Sequence, residues 1–370
     1  MNKPIPLSQP FLSDLEVSYV ADAVRSGWLT QSGSYVSQME REISKTFYTE
    51  ETSREVTTTS NGTTALHLAL LSLEIGSGDE VILPNFGYIA PVNAVLMCNA
   101  TPVIVDINPS DWCIDTDLVI NAITDRTRAI IVIDNYGVFG PIENLRNRIP
   151  QDICIIEDAA ESFPTNTYNQ KNSFKGDLVT TSFYANKVLT SAEGGAICGP
   201  SDLIFRINSL KNQSVKSKGL FEHTAIGFNY RISNLHAALF IAQWERLPEI
   251  LNQRNSVFEK YFEYFKKLDI NFTSNQFPNF VNPWLMTIRL PGQSDNIPIL
   301  REKLLERGIE TRPGFKIFSE HEYLKKQIRI GSHLDISKTI AKEVISLPTF
   351  PELGEESIAY ICETLSELLK

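Results

Sequence analysis

Short apolar blocks recur through the first two hundred residues, and most are apolar at consecutive positions with no alternation. Glu80 to Pro84 (EVILP), Ala100 to Ile107 (ATPVIVDI), Arg128 to Gly137 (RAIIVIDNYG) and Ile153 to Glu157 (ICIIE) are the clearest. Blocks of this length, rich in β-branched residues and apolar on both faces, predict strands of a buried sheet. Between them the apolar spacing stretches to three and four residues. That spacing predicts helices after Asn61, through Met97, over Asp117 to Ile123 and near Ile142 to Arg148. Alternation of this kind predicts an α/β fold with a mostly parallel central sheet flanked by helices. Ligands in such sheets sit at the C-terminal ends of the strands.

The ends of the chain read differently. A proline-bearing arm leads into helices over Leu15 to Ser26 and Tyr35 to Phe47, joined by the glycine-bounded loop Gly27 to Gly33 (GWLTQSG). Residues 205–220 are polar and basic (Arg206, Lys211, Lys216, Lys218), either a solvated loop or a stretch that binds a diphosphate. Beyond them, helices over Asn234 to Leu247, Leu251 to Leu268 and Ile297 to Arg307 alternate with strands at Pro283 to Leu290 and Ile309 to Arg312. An amphipathic helix over Glu355 to Leu369 closes the chain. The expected division is a large α/β domain with its N-terminal arm over 1–244 and a smaller C-terminal α+β domain over 245–370.

Composition narrows the setting. The chain has 370 residues, 42 % of them hydrophobic and 21 % charged, which suits an ordinary globular protein of more than one lobe. A net charge of -10 disfavours nucleic acid or an anionic membrane as the main partner. No apolar run is long enough to span a bilayer, and the first residues carry no apolar signal-peptide core. The five cysteines are scattered and sit mostly inside apolar runs, so they read as free thiols of a reducing compartment, and the cytoplasm is the expected location. No His/Cys spacing suggests a metal site.

Four features carry candidate chemistry. Lys187 lies on a small-residue loop between the apolar runs Leu178 to Ser182 and Ala196 to Cys198. Desolvation there lowers the pKa of an amine and makes it a nucleophile toward aldehydes, although an exposed hairpin lysine has the same local pattern. Asp158 ends a wholly apolar strand, so its carboxylate needs a cationic partner or a helix to cap. Asn61 to Thr64 (NGTT) precedes an apolar helix. It caps that helix and, through Gly62 and the Thr63 hydroxyl, offers a phosphate cradle. Tyr88 follows the strand ending at Pro84 and supplies an aromatic face. An anion site, a stacking face, an acid for a ring nitrogen and an amine for an aldehyde are together what pyridoxal 5′-phosphate requires.

The chain resembles the DegT/DnrJ/EryC1/StrS sugar aminotransferases, of the fold-type I pyridoxal phosphate enzymes. The resemblance is carried nearly end to end by GWLTQSG from Gly27, SNGTTALHLAL from Ser60, GDEVILP from Gly78, ATPVIVDI from Ala100, EDAAES from Glu157, SFYANK from Ser182, EGG from Glu193, GFNYRISN from Gly227 and ETRP from Glu310. It implies that Lys187 carries the cofactor and shuttles protons, that Asp158 keeps the ring nitrogen protonated, and that Tyr88 stacks on the ring. Glu161 takes the place that contacts the ring hydroxyl. Gly62, Thr63 and Ser182 hold the phosphate, with Asn229 reaching it from a second subunit, which implies a homodimer with shared active sites. Thr30, Arg231 and Arg312 are implied to hold the amino donor or the sugar nucleotide.

The reaction implied is transfer of the amino group of L-glutamate to a nucleotide-linked 4-keto-6-deoxy sugar, GDP-4-keto-6-deoxymannose being the expected one. Another UDP-, dTDP- or GDP-linked ketosugar, aminated at C4 or C3, and a cofactor-holding regulatory protein stay open as alternatives. Lys187 separates the chain from the dehydratase branch, in which a histidine stands there. Asn135, and Ser191 with Ala192, depart from the usual family residues; Asn135 is expected near the cofactor side of the crevice, where it would influence the sugar accepted.

Overall fold

The computed structural model describes residues 4–47, 54–165, 174–216, 221–274 and 280–370. The chain opens with helices α1 (Asp14–Arg25) and α2 (Ser34–Phe47). The alternating region follows: β1 (Arg54–Thr59), α3 (Gly62–Ser72), β2 (Glu80–Pro84), α4 (Ala90–Met97), β3 (Thr101–Val105), α5 (Thr116–Ala122), β4 (Thr127–Ile133), α6 (Ile142–Arg146) and β5 (Cys154–Asp158). β6 (Leu178–Ser182) and β7 (Gly195–Pro200) form the hairpin around Lys187, and α7 (Ser201–Leu210), α8 (Asn234–Glu245) and α9 (Leu247–Lys267) come next. The remainder is β8 (Thr273–Ser274), β9 (Met286–Arg289), α10 (Ile297–Glu306), β10 (Arg312–Pro313), β11 (Arg329–Ile330), α11 (Asp335–Glu343), β12 (Val344–Leu347) and α12 (Glu355–Leu369).

The large sheet has the order β1-β7-β6-β5-β4-β2-β3-β11. Only β7 runs against the others. The unbroken apolar blocks are explained by cover on both faces. Val81, Leu83 and Ile131 face Leu66 and Leu70 of α3, Val95 of α4 and Ile207 of α7. Ile82, Ile130 and Ile155, one register position away, face Val119 of α5 and Leu145 of α6. Adjacent residues of one strand therefore enter opposite cores, and each such side chain contributes about 1.5–3 kcal/mol of burial.

A second sheet, β10-β12-β9-β8, is antiparallel throughout. Phe258, Tyr261 and Phe265 of α9, Leu300 and Leu304 of α10 and Ile361 and Leu365 of α12 share its core. The first turn of α9 belongs elsewhere: Leu247, Ile250 and Leu251 pack in the core of the large sheet. Residues after β10 also return to that sheet, where β11 pairs parallel with β3. Among the described residues no helix is long and apolar enough to cross a membrane. All five cysteines are free thiols.

The polar stretch after Pro200 is not the loop its charges suggest. Residues 201–210 form α7, whose Ile204 and Ile207 are buried. Lys211 is turned inward, donating to the Thr58 carbonyl at 2.8 Å and pairing with Glu40 at 3.6 Å. Its charge is thus committed to joining α2, β1 and α7. Lys218 lies outside the described residues.

One buried carboxylate has a particular part in the return to the large sheet. Asp106, just past β3 and 2 % exposed, accepts from the backbone N–H of Ile336 at 2.9 Å and of Ser337 at 2.8 Å. These are first-turn amides of α11, whose own N-cap, Leu334, offers no side-chain acceptor. Asp106 therefore caps from a distant strand a helix that does not cap itself. Asp106→Ala leaves both amides buried without acceptors and is expected to lower unfolding stability by about 2–4 kcal/mol, read in urea titrations, with Asp106→Asn losing less.

Candidate active site

The C-terminal ends of β1, β2, β4, β5 and β6 open on one side of the large sheet, and a cavity of about 580 Å³ lies there. Its wall includes Gly62, Thr63, Tyr88, Asp158, Glu161, Ser182, Lys187 and Arg312. Eight of the residues singled out in the sequence are thus brought together from strands far apart in the chain. Thr30, Asn229 and Arg231 are not part of this wall. Thr30 is exposed on the loop between α1 and α2. The Asn229 side-chain oxygen accepts from Arg231 at 2.7 and 3.1 Å, on the strap between α7 and α8.

The anion cradle is built by the cap of α3. Asn61 Oδ1 accepts from the Thr64 N–H at 2.9 Å, and Thr64 Oγ1 accepts from the Asn61 N–H at 3.2 Å. That reciprocal pair consumes the Thr64 amide. The Gly62 and Thr63 amides have no intrahelical acceptor, and the helix terminus adds partial positive charge. Gly62 is required by proximity: a Cβ there would lie 2.8 Å from Ser182 Cβ and 3.2 Å from its hydroxyl oxygen.

Facing the cradle is a cluster of buried charges. Asp158 is held by the Ala160 N–H at 3.2 Å, and burial pushes its carboxyl up to about 6 against the pull of Lys187. Glu161 accepts from the Tyr136 N–H at 2.8 Å, and burial lifts it to about 7. Lys187 Nζ lies 3.8 Å from Glu161, with 12 % of its side chain exposed. Desolvation lowers its pKa, Glu161 and Asp158 oppose that, and Arg312 reinforces it. The tight β6–β7 loop sets its position: the Lys187 N–H donates to the Tyr184 carbonyl at 2.9 Å and the Phe183 N–H to Gly194 at 2.8 Å.

The aromatic lining was only partly visible in the sequence. Tyr88 packs edge-on against Phe315 at 6.2 Å, Phe315 stacks on Tyr136 at 5.0 Å, and Tyr136 stacks on Trp284 at 6.2 Å. Trp284, Phe315 and Asn186 all line the cavity without having been picked out beforehand. Pro-Trp ahead of an apolar run reads as the start of a core strand, and nothing local marks it as facing Lys187. Asn135 lies between Ile133, which lines the cavity, and Tyr136, whose N–H holds Glu161. It is fully buried beneath the crevice, donating to the carbonyls of Phe86 at 2.9 Å and Trp112 at 3.1 Å, and is absent from the cavity wall. Its strand-end position points the amide down into the layer under Gly87.

The wall fits pyridoxal phosphate on its own geometry. The cradle leaves no room for a Cβ at Gly62, two amides await an acceptor, and a buried acid stands where a protonated ring nitrogen would offset it. The Asn186 side-chain oxygen is also buried without a hydrogen-bond partner among the described residues. A flat ligand with an anion at one end, a basic ring nitrogen and an aldehyde answers these demands together. The class so defined is the pyridoxal phosphate-dependent aminotransferases of fold type I.

The chain belongs to the DegT/DnrJ/EryC1/StrS aminotransferase family, whose sequence model matches residues 11–366. It is 32 % identical to the GDP-perosamine synthase of Escherichia coli O157:H7 over 367 residues, covering 99 % of this chain and 98 % of that one. It is likewise 32 % identical to the GDP-perosamine synthase of Vibrio cholerae over 370 residues, covering 98 % of each. Among solved structures it superimposes on the putative sugar aminotransferase Spr1654 of Streptococcus pneumoniae in its PLP form, with a TM-score of 0.88 and 25 % identity over 99 % of this chain and 98 % of that one. PseC of Helicobacter pylori, an aminotransferase of pseudoaminic acid biosynthesis, shares the fold with a TM-score of 0.90 at 22 % identity, covering 99 % of each chain.

Two outcomes test this geometry. Gly62→Ala is expected to weaken pyridoxal phosphate retention by at least about tenfold in absorbance titrations, while Gly354→Ala, where a Cβ meets nothing within 4 Å, leaves it unchanged. The second concerns pH. Asp158 and Glu161 hold protons to higher pH in the folded chain than in the unfolded one. Their contribution to stability is therefore fully present below the unfolded carboxylate pKa and is lost as pH rises through about 6 and about 7. In cofactor-free protein, Glu161→Gln is expected to flatten the fall in unfolding stability across this window, gaining about 2–3 kcal/mol relative to wild type at the alkaline end.

Proposed function

We propose that the enzyme transfers the amino group of L-glutamate to the C4 keto carbon of GDP-4-keto-6-deoxy-D-mannose, giving GDP-perosamine for surface polysaccharide, and that it does so as a cytoplasmic homodimer. The observation that carries this reading is the end-to-end match, at 32 % identity, to proteins named GDP-perosamine synthase. The cavity described above supplies the machinery such a transfer needs.

Pyridoxal phosphate, when bound, supplies an electron sink and a temporary carrier for the amino group. The chain's residues do the rest. The amides of Gly62 and Thr63 and the Ser182 hydroxyl bind the phosphate. Tyr88 covers one face of the ring, and Glu161 meets the ring hydroxyl. Asp158 holds the proton on the ring nitrogen; its own burial is offset once that cation is beside it. Lys187 Nζ takes and returns the proton at the substrate carbon. Its lowered pKa makes the free amine more available as a base, and the carboxyl 3.8 Å away stabilises the charge when the amine is protonated.

Arg312 sits at the rim as the cation for the glutamate carboxylate or the sugar diphosphate. Thr30, Asn229 and Arg231 stand off this chain's cavity, and we assign them to the cavity of a second copy, Asn229 to its phosphate and the other two to its substrates. That assignment makes the homodimer part of the active site.

The decisive assay incubates the purified enzyme with L-glutamate and a panel of GDP-, UDP- and dTDP-linked ketosugars. Conversion of GDP-4-keto-6-deoxymannose to a 4-amino sugar is expected. Turnover restricted to a UDP- or dTDP-linked ketone would overturn the substrate assigned here. Lys187→Ala is expected to lower conversion by at least about a thousandfold while the protein still folds.

A further inference from the structure

Trp284 faces the reacting amine, yet nothing in the transfer described above uses it. It is 3 % exposed and reaches the site from the segment ahead of β9, in the second sheet. Lys187 Nζ lies 3.9 Å from the centroid of its ring. Trp284 is held by both its ring and its backbone. Its Nε1–H donates to the Asn186 carbonyl at 2.8 Å, one residue before the lysine. Its own carbonyl accepts from the buried Arg254 of α9 at 3.0 Å. Its ring also stacks on Tyr136 at 6.2 Å and 21°, which leaves the face toward Lys187 as the one the amine meets. A tryptophan face is the strongest aromatic partner for an ammonium group, and desolvation strengthens the attraction.

We propose that Trp284 is a positioning residue for Lys187: it docks the freed ammonium group during the half of the transfer in which the amino group resides on the cofactor. The lysine must leave the cofactor in that half-cycle and yet stay ready for the next proton transfer. Three charged groups also face it. Glu161 and Asp158 attract the ammonium, and Arg312 repels it. The carboxylates alone would draw the amine toward the ring hydroxyl and ring nitrogen. Nζ stands 3.8 Å from Glu161 and 3.9 Å from the indole centroid at once, so the indole is an uncharged partner for the ammonium group beside the carboxylates, tied through Asn186 to the loop that carries the lysine. The proposal rests on the aminotransferase reading but not on any particular donor or sugar.

The test uses enzyme loaded with pyridoxamine 5′-phosphate, which frees Lys187 without relying on an amino donor. Acetylation of Lys187 by acetic anhydride is followed by mass spectrometry against pH, since only the unprotonated amine reacts. Site-specific replacement of Trp284 by tryptophans of increasing fluorination keeps the shape and the N–H donor while weakening the ring face. The labelling midpoint is expected to fall stepwise, by about one pH unit at the highest substitution, because less of the ammonium form is stabilised. Trp284→Phe, which keeps a ring but loses the tie to Asn186, is expected to fall between. A midpoint that does not move along the fluorination series would overturn the proposal and leave Trp284 a packing residue. Binding of pyridoxamine 5′-phosphate, read by absorbance in the same samples, separates that result from a failure of the cofactor site itself.

Discussion

Two carboxylates and one amine are buried together at the open edge of a parallel sheet, and the rest of the molecule answers to that arrangement. Asp158 and Glu161 are both pushed toward neutrality by burial, and Lys187 is the cation that opposes the push. Arg312 opposes it too at Glu161, which leaves Lys187 alone to serve Asp158 within the cluster. A protonated ring nitrogen beside Asp158 would complete it. Burial of both acids in charged form costs stability, and a cation beside Asp158 would offset part of that deficit. The sheet's two apolar cores make such a deficit tolerable, because β4 and β5 are anchored on both faces behind it.

Much of this architecture is legible in the sequence. Strands such as β2 and β4 announce themselves because a strand covered on both faces must be apolar at every position. The cluster residues announce themselves because the ends of such strands are where polar side chains first appear. Asp158, Gly62 and Lys187 each lie within a few residues of a strand's C-terminal end, and the family motifs mark their roles.

What escaped was set by contacts distant in sequence. β11 is two residues long, Arg329 and Ile330, and exists because β3 has a free edge. The start of α11 has no local cap signal, since its acceptor is Asp106. α7 was masked by the charges around Arg206 and Lys211, although Ile204 and Ile207 give it an apolar stripe. Trp284 meets Lys187 only through the packing of the second sheet against the first. Asn135 lies just past β4, and what holds it is a pair of contacts distant in sequence, the carbonyls of Phe86 and Trp112.

The return of β11 and α11 to the large sheet has a mechanical consequence. The chain passes between the two sheets along α9, again after β10, and again from α11 into β12. A lobe attached by one linker can swing; a lobe threaded through three passages can only rotate about a line close to all of them. The N-terminal arm adds a further tether, with the Ile5 N–H donating to Gly308 at 2.8 Å and the Leu7 N–H to Glu310 at 2.9 Å. The second lobe is therefore tied to the first at several places along the chain. Trp284 and Arg312 enter the cavity wall from this lobe, so the threading of the chain that joins the lobes also decides which side chains stand around Lys187.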